Sequence, residues 1–484
     1  MGSKTSKSTW TACAMLVVAL GAAVSAPASA VTARHVAVAQ ASVPAPASVP
    51  ATNGRCISDE GADPKAPPAF RTVPATAGAR SASADSVAPR MNLLAMVQAA
   101  IRRSNSVGAA KLLAEAAAID IDEAHAQLYP QVGISGQIGG IDAGAPNTAA
   151  VHGSQFQGGL NVSAPLYDGG HIRDLTAYRA HLAEVAKFGE VSAQEQVALQ
   201  TVSLALDRSR FTVEAQVYDQ YARKMACLVD ALQQIVAADR GRTSELVQAK
   251  KTQQQAELSR DQTLSQKRLT EIRLKRFVGD DLPPTEGITS VMLDTPGLDD
   301  LLTIASRASE IRALDSQADA LDAYVRSVLD GQKPQLGVLV AATKSAGAGT
   351  SRSVSGGLTF NWQIFNASNN YTTESARKRA AAARLTREDA LESRKYRMAE
   401  VHEQAEHAME RARSVIEILH NSELVRNFTL QQWQQLGRRS LFDVMAAEGD
   451  HYNMRVQYVD ALYDTQQSNA LLWSLGLGLA IHLQ

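Results

Sequence analysis

Residues 157–170, QGGLNVSAPLYDGG, and residues 355–368, SGGLTFNWQIFNAS, carry one pattern twice. In the first, Leu160, Val162, Ala164 and Leu166 alternate with Asn161 and Ser163; in the second, Leu358, Phe360, Trp362 and Ile364 alternate with Thr359, Asn361 and Gln363. A period of two predicts β-strands with one apolar and one polar face. The glycine pairs that open the stretches read as close backbone approach or a bulge. They are not phosphate loops, because no helix with Lys-Ser or Lys-Thr follows them.

Upstream of each stretch lies a weaker copy of the same alternation. LYPQVGISGQIGG starts at Leu128 and places Val132, Ile134 and Ile138 on one side; QKPQLGVLVAATK starts at Gln332 and does the same with Leu336, Val338 and Val340. Pro130-Gln-Val-Gly matches Pro334-Gln-Leu-Gly, and Tyr167 matches Phe365, so the chain reads as an internal twofold repeat of about 200 residues per copy. The four strands are expected at about 130–139, 156–166, 335–344 and 354–365, each about as long as a tilted bilayer crossing requires. Four strands enclose no lumen, so a spanning barrel needs strands from several chains.

Downstream of each strand pair the breakers vanish. There is no Pro between Tyr167 and Leu282 or after Pro334, and residues 366–435 contain neither Gly nor Pro. Such segments predict very long helices, about 105 Å for seventy residues. Each ends at a single Gly, Gly241 in ADRGRTSELVQAK and Gly437 in LGRRSLFDVMAAE. Each Gly suits a C-cap, and Ser244 or Ser440 an N-cap for the next helix, which makes a helical hairpin tip. The returning helices, about 244–277 and 440–474, are shorter than their partners, and the helical stretches 93–127 and 301–329 are the candidates to fill the gap.

The remaining composition narrows the function. Lys+Arg total 48 and Asp+Glu 49 in 484 residues, for a net charge of −1, so no global field recruits nucleic acid. The basic residues of ARKRAAAARLTREDALESRKYR alternate with acids, as on a solvated helix face. Lys4 and Lys7, an apolar run at 14–24 and APASA ending at Ala30 read as a signal peptide, residues 1–30, without a Leu-x-Gly-Cys lipobox. Residues 31–90, rich in Ala and Pro, read as a disordered extension. No other run is long enough for a spanning helix, which leaves a β-barrel as the route into a membrane. Cys13, Cys56 and Cys227 are too few for a disulfide framework or zinc site. The histidines of HEQAEH are five apart and cannot ligate from one helix face, and no nucleophilic triad stands out. Neither an enzyme nor a cofactor is expected.

In this order of features the chain resembles the TolC family of outer-membrane channel-tunnel proteins, from Met91 to Gly478, including G-x-x-S-x-x-D-V at Gly437, Ser440, Asp443 and Val444. The resemblance implies an α+β membrane protein of the Gram-negative outer membrane. It would be a homotrimer with a twelve-stranded transmembrane barrel, four strands per chain, continued by a long periplasmic α-helical barrel. Residues 91–290 and 291–484 are the two structural repeats. The implied partners are a periplasmic adaptor (membrane-fusion protein) docking on the tips, and an inner-membrane transporter. That transporter is of the ABC type if the cargo is a polypeptide exported by type I secretion, such as a repeat-in-toxin protein. It is a proton-driven pump if the cargo is a drug or other small molecule. Gly241, Arg242, Ser244, Gly437, Arg438 and Ser440 fall at the tips. The family's periplasmic gate maps to Arg439 and Asp443, with Gln434 at the tyrosine position and Ala446 at the second aspartate.

Overall fold

The computed structural model describes residues 87–144, 150–238, 240–284, 287–288, 291–433, 439–476 and 478–483. The leader and the Ala/Pro-rich segment up to residue 86 lie outside them. Two helices, α1 (Val87–Arg103) and α2 (Asn105–Ala126), precede strands β1 (Gln131–Ala143) and β2 (Val151–Tyr167). A long helix α3 (His171–Ala238) and a return helix α4 (Thr243–Val278) follow. After the short α5 (Leu298–Ile304), the same order recurs as α6 (Ser309–Asp330), β3 (Gln335–Gly347), β4 (Ser351–Asn361), α7 (Ala367–Gln431) and α8 (Leu441–Leu475), closed by α9 (Leu479–Leu483).

The strands form one antiparallel sheet in the order β1-β2-β3-β4. Its register places Val132, Val162, Val340 and Gly356 in one cross-strand row and Ile134, Leu160, Ala342 and Val354 in the next. Directly opposed residues share a face, so the apolar sets of all four strands merge into one surface. The other face carries Gln137, Gln157, Asn161, Ser163, Thr343, Ser353 and Thr359, with Leu339 an apolar exception. Thr343 and Ser353 hydrogen-bond across it at 2.6 Å. The glycine pairs keep regular register, and the bulge lies instead at Pro165–Tyr167.

The strands run further than their sequence signal at the distal end, to Ala143, Val151, Gly347 and Ser351. At the other end β4 stops at Asn361, four residues short of the expected 365. Asn361 pairs with Gln335, and the next residue on the partner strand is Pro334, which has no N–H to donate. Asx caps then turn strand into helix in both halves. Asp168 accepts from the N–H groups of Gly170 and Ile172, at 3.1 and 2.6 Å, with Gly169 and Gly170 at positive φ. Asn366 accepts from Ser368 N at 3.0 Å.

Helices α3 and α7 have 68 and 65 residues, each about 100 Å at 1.5 Å per residue. Between them, α2 packs on α3, and α6 on both α3 and α7, filling the space that the shorter α4 and α8 leave. The expected single helix 93–127 is two, broken at Ser104, whose hydroxyl caps α2 by accepting from Val107 N. Over residues 87–90, expected to belong to the disordered extension, the chain is helical, because α1 starts at Val87. Pro89 is buried in its first turn against Gly287, and Arg90 donates to the His482 carbonyl. Pro is tolerated there because a first-turn N–H needs no helical acceptor.

The main apolar cluster joins α1 (Leu93, Met96, Val97), α3 (Val202, Leu206, Val213), Ile288, Val291 and Met292, and α8 (Val459, Tyr463). Gln466 and Asn469 of α8 donate to the carbonyls of Val291 and Met292, at 2.7 and 2.9 Å, and hold these two residues on the core. Cys227 of α3 is disulfide-bonded, and Cys13 and Cys56 lie outside the described residues.

Candidate functional site

The functional candidates lie at the tip where α7 turns into α8. Ser440 is the N-cap of α8: its hydroxyl accepts from Asp443 N at 3.3 Å, and the Asp443 carboxylate accepts from Ser440 N at 3.2 Å. This reciprocal capping box satisfies two donors that a helix start leaves unpaired. The first-turn aspartate also complements the helix dipole. Arg439 Nη1 lies 4.0 Å from Asp443 Oδ2, and its Nε donates to Gln432 Oε1 at 3.2 Å. Both side chains of the Arg439–Asp443 pair are about half exposed, so within one chain the pair contributes only a few tenths of a kcal/mol. Gln434, Gly437 and Arg438 lie outside the described residues.

At the first tip the connection is a single 3₁₀ turn, Arg240–Arg242, with Gly241 in its middle. Ser244 is not the N-cap expected of it. The 3₁₀ turn runs directly into α4 at Thr243, whose hydroxyl donates back to the Arg240 carbonyl at 2.7 Å, and Ser244 falls inside the first turn. Gly241, Arg242 and Ser244 are all exposed. Nearby, Glu245 buries one carboxylate oxygen with no hydrogen-bond partner among the described residues.

The two tips pack on one another. Met225, Leu228 and Leu232 of α3 and Ala249 of α4 form one apolar cluster with Leu441, Val444 and Met445 of α8, and Trp433 leans on it. The start of α8 is thereby fixed against the first hairpin, while Arg439 and Asp443 face outward.

Further along the hairpins a set of charges pins α3, α7 and α8 together. Arg210 of α3 holds Glu214 and Asp460 at 2.7 Å each and reaches Asp464 at 3.5 Å; Arg411 of α7 meets Asp464 at 2.9 Å. Burial, with the hydrogen bond shared with Asp460 adding to it, pushes the Glu214 carboxyl up to about 7. Asp207, also raised by burial, accepts from Gln467 of α8 at 2.5 Å, and Asp219 pairs with Arg260 of α4. These carboxylates could have lined an aqueous space by sequence alone; the structure commits them to contacts between helices. His402 and His407 pair with Glu406 and Glu403 along α7.

Sequence reasoning missed the Arg210–Glu214–Asp460 cluster and the Trp433 contact. Both depend on which distant helices meet, and no local spacing encodes that.

No protein-family model and no curated protein matches the chain, whereas solved structures do. A membrane protein from Pseudomonas aeruginosa is 17% identical, covering 80% of this chain and 92% of its own, with a TM-score of 0.71. The outer membrane protein VceC from Vibrio cholerae is 15% identical, covering 80% of this chain and 97% of its own, with a TM-score of 0.68. The open state of the MtrE outer membrane channel from Neisseria gonorrhoeae is 15% identical, covering 80% and 89%, with a TM-score of 0.65. At these identities the likeness establishes the fold, which is that of outer-membrane channels, as the resemblance to the TolC family led one to expect.

Proposed function

We propose that the chain is one subunit of a homotrimeric outer-membrane channel, the passive conduit of a tripartite exporter. Three sheets close a twelve-stranded barrel, and the helical hairpins continue it across the periplasm. The tips meet an adaptor that links the channel to an inner-membrane transporter. The observation that carries this reading is the sheet: one apolar face, one polar face, and outer strands β1 and β4 without further strand partners among the described residues. An open sheet with one face suited to lipid and one to water is completed by closure with other copies.

Exposed apolar side chains on the outlying helices support the same assembly. Leu112, Leu113 and Ile119 of α2, Leu258 and Leu269 of α4, and Tyr371, Leu385 and Tyr396 of α7 are more than half exposed among the described residues. At the mouth, Arg439 and Asp443 would meet their copies around a threefold axis, where crowding strengthens the charges beyond the exposed intrachain pair. We assign Gly241, Arg242, Ser244, Gly437, Arg438 and Ser440 to adaptor docking.

For the cargo we infer an unfolded polypeptide exported by type I secretion with an ABC-type transporter, the alternative being a drug or other small molecule driven out by a proton-driven pump. Cells lacking the chain should stop exporting that polypeptide and keep their drug susceptibility. Increased drug susceptibility with polypeptide export intact assigns small-molecule efflux instead. Recovery of the mature chain in a soluble periplasmic fraction without detergent contradicts the channel.

A further inference from the structure

We propose that Lys344 and Arg352 form a binding site for the phosphate of an anionic lipid headgroup on the outside of the barrel. The inference rests on the reading of the apolar sheet face as lipid-facing. The two residues are direct Cα partners on β3 and β4 and lie in register with the apolar side chains, not with the polar ones. Both are exposed. Like charges opposed across adjacent strands repel, an arrangement that an anion between them relieves.

The four strands supply no such anion beside them. Asp142 is the only carboxylate on the four strands; it lies at the far end of β1, where it is 2.7 Å from His152. The cross-strand row of the two cations continues through Gly158 of β2 to Gly136 of β1. Asp142 is six residues beyond Gly136, about 20 Å along the strand.

The two glycines make a notch beside the cations. A Cβ on Gly136 would meet nothing within 4 Å, and one on Gly158 only Phe156 Cε1 at 3.7 Å. On β2, Phe156 and Leu160 stand on either side of Gly158 and point to the same face. Lys344 lies eight residues beyond Leu336, about 26 Å along the strand and about 20 Å in height at a ~40° tilt. That height is about 5 Å below the upper rim of a lipid-facing band of about 25 Å, a distance over which basic side chains extend to the headgroup phosphates. A guanidinium and an ammonium side by side supply forked and point-charge donors to one phosphate.

The test uses the purified full chain in detergent, titrated with dioleoyl phosphatidic acid and with dioleoylglycerol, and read by native mass spectrometry. The wild type is expected to retain the phosphate lipid about tenfold more tightly than its neutral counterpart. Lys344→Gln with Arg352→Gln should abolish that preference. Gly158→Val, which keeps both charges and fills the notch, should weaken it several-fold. Equal retention of the two lipids by the wild type, or an undiminished preference in the double variant, overturns the site. So does displacement of the lipid by millimolar inorganic phosphate, which would mark a free-anion site. Membrane fractionation of the wild type separates the two failures: a membrane-embedded chain without phosphate preference sinks only this site, whereas a soluble chain sinks the channel reading as well.

Discussion

An arginine placed at Val162 should be far more damaging than one placed at Ser163, although the two are neighbours in the middle of β2. Val162 sits between Val132 and Val340 in the apolar rows that run from Phe360 and Leu336 at one end to Phe156 and Ile138 at the other. It is therefore near the middle of the lipid-facing band, where an arginine costs about 2–4 kcal/mol per chain. At about 1.4 kcal/mol per tenfold, that lowers the folded population by between about 30-fold and about 700-fold. Ser163 pairs with Gln131 and Leu339 on the polar face, and an arginine there extends into water at a cost near zero. The assay is the fraction of each variant that resists urea extraction from outer membranes at equal expression. Val162→Arg should be largely lost and Ser163→Arg retained. Equal loss, or greater loss of Ser163→Arg, refutes the assignment of faces and with it the direction of the lumen.

Three further outcomes follow from particular contacts. Because the fold raises the Glu214 carboxyl to about 7, the protonated form is favoured in the folded state. Its stabilisation is present below the ordinary carboxylate range and is lost as pH rises toward 7, by at most about 3 kcal/mol. Glu214→Gln should flatten the fall in melting temperature between pH 5 and pH 8 relative to the wild type, and an identical pH profile in the two proteins counts against the buried pair. Ser440→Ala removes the acceptor for Asp443 N and should cost about 0.5–2 kcal/mol at the start of α8. Hydrogen exchange over residues 441–445 should quicken by about 2-fold to 30-fold, and unchanged exchange would show that the cap is idle. Asp443→Asn keeps a carbonyl oxygen for Ser440 N while removing the charge, so it tests the gate separately from the cap. It should raise single-channel conductance, and an unchanged conductance removes Asp443 from the gate.

The sheet was legible because a period of two admits no helical reading, and pairing four such segments put every apolar set on one face. The hairpins were legible from the missing Pro in residues 171–238, where Gly189 is the one glycine, and from the missing Pro and Gly in residues 367–431. Boundaries were less so. The end of β4 is set by Pro334 on the neighbouring strand, and the start of α1 by Pro89 packing on Gly287; neither signal is local. Ser244 matches a capping pattern, but the 3₁₀ turn begins the helix one residue earlier. The Glu214–Asp460 contact joins residues of two helices far apart in sequence, so only packing reveals that the two carboxylates share one arginine.

Planar-bilayer recording of the detergent-purified full chain tests the central claim most directly. The account predicts discrete conductance steps of one size from the wild type or, if its mouth is shut, from Asp443→Asn. A bilayer that stays silent with both proteins, at concentrations where the chain inserts into the membrane, contradicts it.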